Sequence, residues 1–177
     1  MITKQFKTYL ASILQYSATT PNALLPIKAI NGNIYYLASK INNSFPYYVS
    51  HSIVFDNSYG IHLGSNDTPA TEEDYNLKAQ ITSGLSVSAL LRTNGIDANG
   101  NPYLELLGTL LNTTNSDIVI REVGYFQNLQ AGTSQNATSL TNRVFMFDRT
   151  VLTSPLIVPA NDAAALKYTL KTILPSS

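Results

Sequence analysis

Residues 103–126 read YLELLGTLLNTTNSDIVIREVGYF. Two apolar runs, Tyr103–Leu111 and Asp117–Phe126, flank a stretch of Asn, Thr, Ser and Asp. Those polar side chains bond to nearby backbone and favour turns. Residues Asn112–Asp117 therefore predict a turn between two strands. Val119 and Val123 fall on one face of the second strand, as the alternation of side chains along a strand requires.

The same pattern extends in both directions. Leu85, Val87, Ala89 and Leu91 alternate with Ser86, Ser88 and Leu90 and predict a half-buried strand, followed by a loop at Asn94-Gly95 and Asn99-Gly100. Tyr47–Phe55 is aromatic and β-branched, as strands prefer, and Gly60–Gly64 is short and extended. Downstream, Leu129–Thr141 predicts a mobile loop, Val144–Thr150 a strand, and Pro155, Pro159 and Asn161-Asp162 turns. Leu166, Tyr168 and Leu170 alternate with Lys167, Thr169 and Lys171 in a last strand. Near the N-terminus, Asn31-Gly32-Asn33 predicts a hairpin turn returning through Ile34–Leu37, with breaks at Ala18–Pro26 and Asn42–Pro46. Such a series of short, turn-punctuated strands predicts a mainly β chain: an antiparallel β-sandwich, jelly-roll-like, over residues 51–177.

Residues 1–50 read as an N-terminal helix and extended arm. Thr3–Tyr16 predicts one amphipathic helix, with Phe6, Tyr9, Leu10, Ile13 and Leu14 at helical spacing. A helix this short is marginal alone, so its apolar face needs a partner in this domain or in a neighbouring subunit. Phe6, Leu10, Ile13 and Leu14 are candidate interface residues, joined by Tyr35 and Tyr47 from the Tyr35-Tyr36 and Tyr47-Tyr48 pairs. In a strand, one Tyr of each pair faces out, where it can stack on a sugar or meet a subunit.

Composition narrows the function classes. The 177 residues include 17 Ser, 18 Thr and 17 Asn but only 12% charged side chains, about half the usual share. The absence of Cys excludes a disulfide framework and thiolate chemistry, and two His leave little for a zinc site. No apolar run approaches the length of a membrane span. Lys4 and Lys7 precede a mildly apolar stretch, but Ser12, Gln15 and Ser17 interrupt it, so secretory export is not expected. Net charge is zero, yet residues 1–55 carry Lys4, Lys7, Lys28 and Lys40 and no acid. That electropositive arm suits docking on an acidic partner surface, or its four lysines are simply scattered and solvated. Its lysines are too sparse for nucleic acid, and no membrane partner is expected.

Catalytic signatures are thin. His51 and His62 are the only candidate bases, and no nucleophile elbow accompanies them. Asp67, Glu72, Glu73 and Asp74 lack calcium-loop spacing, and Thr71-Glu72-Glu73-Asp74 reads better as a capped turn. Neither a catalytic set, nor a metal site, nor a cofactor is predicted. The sequons at Asn42, Asn66, Asn112 and Asn136 are expected by chance in so Asn-rich a chain.

Three segments together resemble small virion proteins of tailed bacteriophages. They are Gly60–Pro69 with Asp74-Tyr75-Asn76-Leu77, then Leu110–Phe126, then Met146–Leu152 with Pro155–Ala160 and Leu166–Leu170. Asn161-Asp162 stands where those proteins carry a Gly, but Asn and Asp also tolerate the left-handed conformation. The resemblance spans residues 53–173 and implies a non-enzymatic, homo-oligomeric structural protein of the virion, made in the host cytoplasm. Its expected partners are capsid, neck or tail proteins. The alternative is a glycan-binding, receptor-recognising module of a phage fibre, and a hydrolase stands third.

Overall fold

The computed structural model describes residues 1–9, 26–37, 52–134 and 139–171. Its strands in chain order are β1 (Pro26–Lys28), β2 (Ile34–Leu37), β3 (Gly60–Gly64), β4 (Leu85–Ile96), β5 (Pro102–Asn112), β6 (Ile118–Gly132), β7 (Thr141–Val158) and β8 (Ala163–Lys171). All pairings between these strands are antiparallel. β6 is the spine of the larger sheet. β7 lines one side of it, while β3 and β2 share the other, with β1 beyond β2. In the smaller sheet β5 lies between β4 and β8. The chain is therefore mainly β, in antiparallel sheets, as its sequence predicts.

Alternation sets which face of each strand is dry. Leu106 and Leu110 of β5 and Leu166 and Tyr168 of β8 share one buried cluster with Ile61, Leu63, Val123 and Phe145 of the larger sheet. A contact across the sheets depends on a missing side chain. A methyl group at Gly108 would stand 2.5 Å from Ile53 Cδ1, so Gly108 leaves the space that Ile53 fills. On the opposite side of β6 and β7, Phe126 and Met146 form a second cluster with Leu77.

Several elements fall where the sequence puts them. Gly32, at φ +80°, turns the β1–β2 hairpin, and β3 has the expected bounds. Asn161 takes the left-handed conformation at φ 55°. In β8, Leu166 and Tyr168 are buried between exposed Lys167 and Thr169.

Four departures have identifiable causes. The β4 register shifts between Val87 and Ala89, a bulge that turns the rest of the strand over. Leu90 thus packs toward the core, whereas Ala89 and Leu91, expected to be inward, face solvent. Asn94-Gly95 is strand, not loop, paired with Leu104 and Tyr103. The Tyr103 ring occupies the space beside Gly95, 3.0 Å from where a Cβ would sit. The turn comes later, where Asp97 Oδ1 accepts the Asn99 and Asn101 N–H groups, both at 2.9 Å. Leu129–Gly132 is also strand, because Ala131 pairs with Leu37 on one side and Thr141 on the other. Two-sided pairing outweighs its loop-like composition. Pro155 lies inside β7, between the Val151–Glu122 and Leu156–Ile120 pairs, where the strand bulges. A bulge removes the ladder bond that proline cannot make.

Of Tyr47–Phe55 only the end is described, and there Ile53 makes an isolated bridge to Ile61. Of the Thr3–Tyr16 helix, residues 4–9 are described as a short helix. Thr3 caps it by accepting the Phe6 N–H at 3.4 Å, and its hydroxyl donates to Met146 O at 2.7 Å.

Gly108→Ala is expected to destabilise the fold by about 1–3 kcal/mol through overpacking against Ile53. Urea unfolding of Gly108→Ala, alone and in an Ile53→Ala background, checks this. The cost should shrink toward zero in the second case.

Candidate functional site

Arg149 is fully buried in β7, and so is Glu122 in the facing strand β6. Its Nε donates to Glu122 Oε2 at 2.7 Å. Nη1 donates to Asp74 Oδ2 at 2.8 Å. The remaining capacity goes to main chain, with Nη2 donating to Thr68 O at 3.0 Å and Nη1 to Pro69 O at 3.3 Å. The carboxylates are saturated from elsewhere. Glu122 Oε1 accepts the Ala79 N–H at 2.9 Å, while Asp74 accepts the Thr71 N–H at 2.9 Å and pairs with Lys78 Nζ at 3.0 Å. The buried Arg149 and the half-exposed Lys78 balance the two anions.

The cluster clamps residues 65–79, which leave and rejoin the edge of β3. Their neck is closed by Ser65 N–H donating to Ala79 O at 2.9 Å and by the Gly64–Gln80 bridge. Gly64 is required at that neck, since a Cβ there would lie 2.5 Å from Glu122 Oε1. Gly124 plays a similar part under Leu77, whose Cδ2 would be 2.9 Å from an added Cβ. Burial raises the Asp74 carboxyl pKa, but the bonds from Thr71, Lys78 and Arg149 outweigh it and hold it below the ordinary value.

The acidic tip of this loop receives the N-terminal lysines. Lys4 Nζ lies 3.0 Å from Glu73 Oε1 and Lys7 Nζ 2.5 Å from Glu72 Oε1. The Lys4 N–H donates to Glu72 O at 2.7 Å. The electropositive start of the chain thus docks on an acidic surface of the chain itself. Thr71–Asp74 forms a turn, as its sequence predicts, with Asp74 committed to Arg149.

Of the interface residues proposed from sequence, Phe6 and Tyr35 are described; Leu10, Ile13, Leu14 and Tyr47 lie outside the described residues. The Phe6 ring packs on Phe147 of its own chain at 5.1 Å. Tyr35 is buried rather than exposed, edge-on to Phe145 and beneath Arg143. Its core-side position in β2 turns it inward and leaves Tyr36 half-buried on the other face. His62 is likewise a packing residue, fully buried and stacked on Phe126 at 4.0 Å. Burial lowers its pKa, and Nε2 of the neutral ring donates to Ser58 O at 2.7 Å. His51 lies outside the described residues. Among the described residues no group of His, Asp and Glu is placed to hold a metal ion.

A surface the sequence reading missed lies on the outer side of the smaller sheet. Leu91 is 61% exposed, Leu107 42% and Leu111 37%. Leu91 and Leu107 are cross-strand partners, and Leu111 follows on the same face of β5. Exposed Ala89, Ala163 and Ala165 extend the patch, and the Lys167–Glu105 ion pair, at 2.7 Å, borders it. The signal was present in the doublets Leu90-Leu91, Leu106-Leu107 and Leu110-Leu111. A strand must send one member of each doublet outward.

Comparison with family models, curated proteins and solved structures gives no match to this chain.

Arg149→Met strands the buried Glu122 carboxylate and leaves Asp74 with Lys78 alone, and is expected to cost about 3–5 kcal/mol, read from the denaturant midpoint. His62 gives a pH signature. Its folded pKa lies below the unfolded value, so its contribution is complete above about pH 6.5 and declines as pH falls further. His62→Phe should flatten that decline in thermal melts taken between neutral and mildly acidic pH.

Proposed function

We propose that this chain is a non-enzymatic structural component of a tailed-phage particle, assembling onto the capsid, neck or tail. One observation carries the reading. The three segments that resemble virion proteins meet at two buried contacts: Arg149 bonds to Glu122 and Asp74, and Leu77 packs with Phe126 and Met146 over Gly124. The resemblance therefore follows a connected set of contacts rather than scattered turn residues. In this reading the two sheets close as a jelly-roll-like β-sandwich, supported by the single buried cluster to which both contribute. The exposed leucines of the smaller sheet and a surface poor in charge support association through broad contacts, because few ions need be stripped of water. Leu10, Ile13 and Leu14 are proposed to contact a neighbouring subunit, while Phe6 and Tyr9 seat against Phe147 of their own chain.

Peptide mass spectrometry of gradient-purified particles, from a lysate carrying this gene, tests the proposal. Peptides co-migrating with the major capsid protein are the expected result. Their absence from clean particles, with the protein present in the lysate, overturns it.

A further inference from the structure

The free side of β4 stands apart from the other strand edges. β3 is flanked by Ser52 and Val54, bonded to Ile61, and by Ala79 and Ile81 at its other end. From Val144 to Arg149 β7 is covered by residues 1–3 and by Ile30, whose N–H donates to Val144 O at 3.1 Å, and further along it carries Pro155. At β1, the Lys28 N–H is capped by Gln5 Oε1 at 2.8 Å. β8 carries the exposed Lys167, a charge of the kind that discourages edge pairing. β4 has only its one bulge and the charge of Arg92. Among the described residues nothing pairs with its free side, and after the bulge Ala89–Ile96 runs as eight regular residues with one charge, Arg92. Leu91 and Ile96, the latter 72% exposed, add apolar surface to that edge.

We propose that this edge pairs with β4 of a second copy of the chain, antiparallel about a two-fold axis at Thr93, joining two three-stranded sheets into one. The register follows from charge. An axis at Arg92 would oppose two guanidinium groups, which is destabilising. An axis at Thr93 sets Arg92 opposite the Asn94 amide, Leu90 opposite Ile96, and Leu91 opposite Gly95, beside the Tyr103 ring that flanks it. An antiparallel edge is self-complementary about a two-fold axis, so each copy supplies the donors the other lacks. The joined sheet also makes the two leucine patches continuous. This pairing names the surface through which the proposed assembly begins, yet fails separately. Absence from particles defeats the virion reading, and a monomer in solution defeats this one.

Sedimentation velocity of the full chain across the micromolar range should show a concentration-dependent dimer. Thr93 is exposed, so Thr93→Lys should leave the thermal melt unchanged while weakening dimerisation about tenfold or more by opposing two like charges. The chain has no Cys, so Thr93→Cys introduces a single thiol at the axis. With oxidised glutathione it should give a disulfide-linked dimer, because residues opposed across an antiparallel pair lie within bridging distance. In this register Ser86→Cys places its two thiols about 45 Å apart, at roughly 3.3 Å per residue, and should not cross-link. A monomer at all concentrations, or cross-linking by Ser86→Cys as fast as by Thr93→Cys, overturns the proposal.

Discussion

Arg149 is the constraint on which the larger sheet depends. A guanidinium without solvent must find a partner for every N–H, and here it finds them on three separate stretches of chain. Glu122 ties it to the neighbouring strand, Asp74 ties it to the loop, and the Thr68 and Pro69 carbonyls fix the path between. Once that path is fixed, Leu77 is delivered onto Phe126 and Met146, and Tyr75 lies under Lys28, whose Nζ is 4.0 Å from the ring centroid. Glu72 and Glu73 are then held out as a landing place for the N-terminal lysines. Replacing the cluster by apolar residues of equal volume could match its stability. Such residues would not specify where a loop of this length must run.

The two sheets differ in how their outer faces are finished. The larger sheet is covered by the clamped loop, whose Leu77 packs with Phe126 and Met146 beside Ile30 of the β1–β2 turn, and Asn76 Nδ2 donates to Ile30 O at 3.3 Å. The smaller sheet has no such cover among the described residues and shows leucine to solvent. Polar side chains do structural work at the rim as well. Asn112 is buried with both ends of its amide used, Nδ2 donating to Ser116 O and Val158 O and Oδ1 accepting from Thr114. It closes the β5–β6 turn onto the end of β7.

Much of the secondary structure was legible in the sequence, and the misses share a cause. Leu166 and Tyr168 alternate cleanly, and Asn31-Gly32 carries its own turn chemistry, so local reading suffices at both. The inversion after Val87 was hidden because a bulge adds a residue without marking it by composition. Asn94-Gly95 reads as a turn until Tyr103 is placed beside it. Leu129–Gly132 reads as a loop until two partner strands are known. The candidate site was less visible. Asp74, Glu122 and Arg149 each look like ordinary surface charges, and only tertiary pairing takes them out of water. Tyr35 was misassigned to the surface because a Tyr-Tyr doublet shows that one ring turns outward without saying which.

The clamp also orders events in time. Glu122 and Arg149 are 27 residues apart and meet as the β6–β7 hairpin zips, a local step with a modest loop to close. Asp74 and the Thr68 carbonyl lie 75 and 81 residues from Arg149, so their bonds close much longer loops. Contacts of that separation slow folding, and they are met only after the chain between them has been ordered. The shorter loop favours closure on the strand partner ahead of the loop partners. In that order three of its four hydrogen bonds are made to water until residues 65–79 cover it.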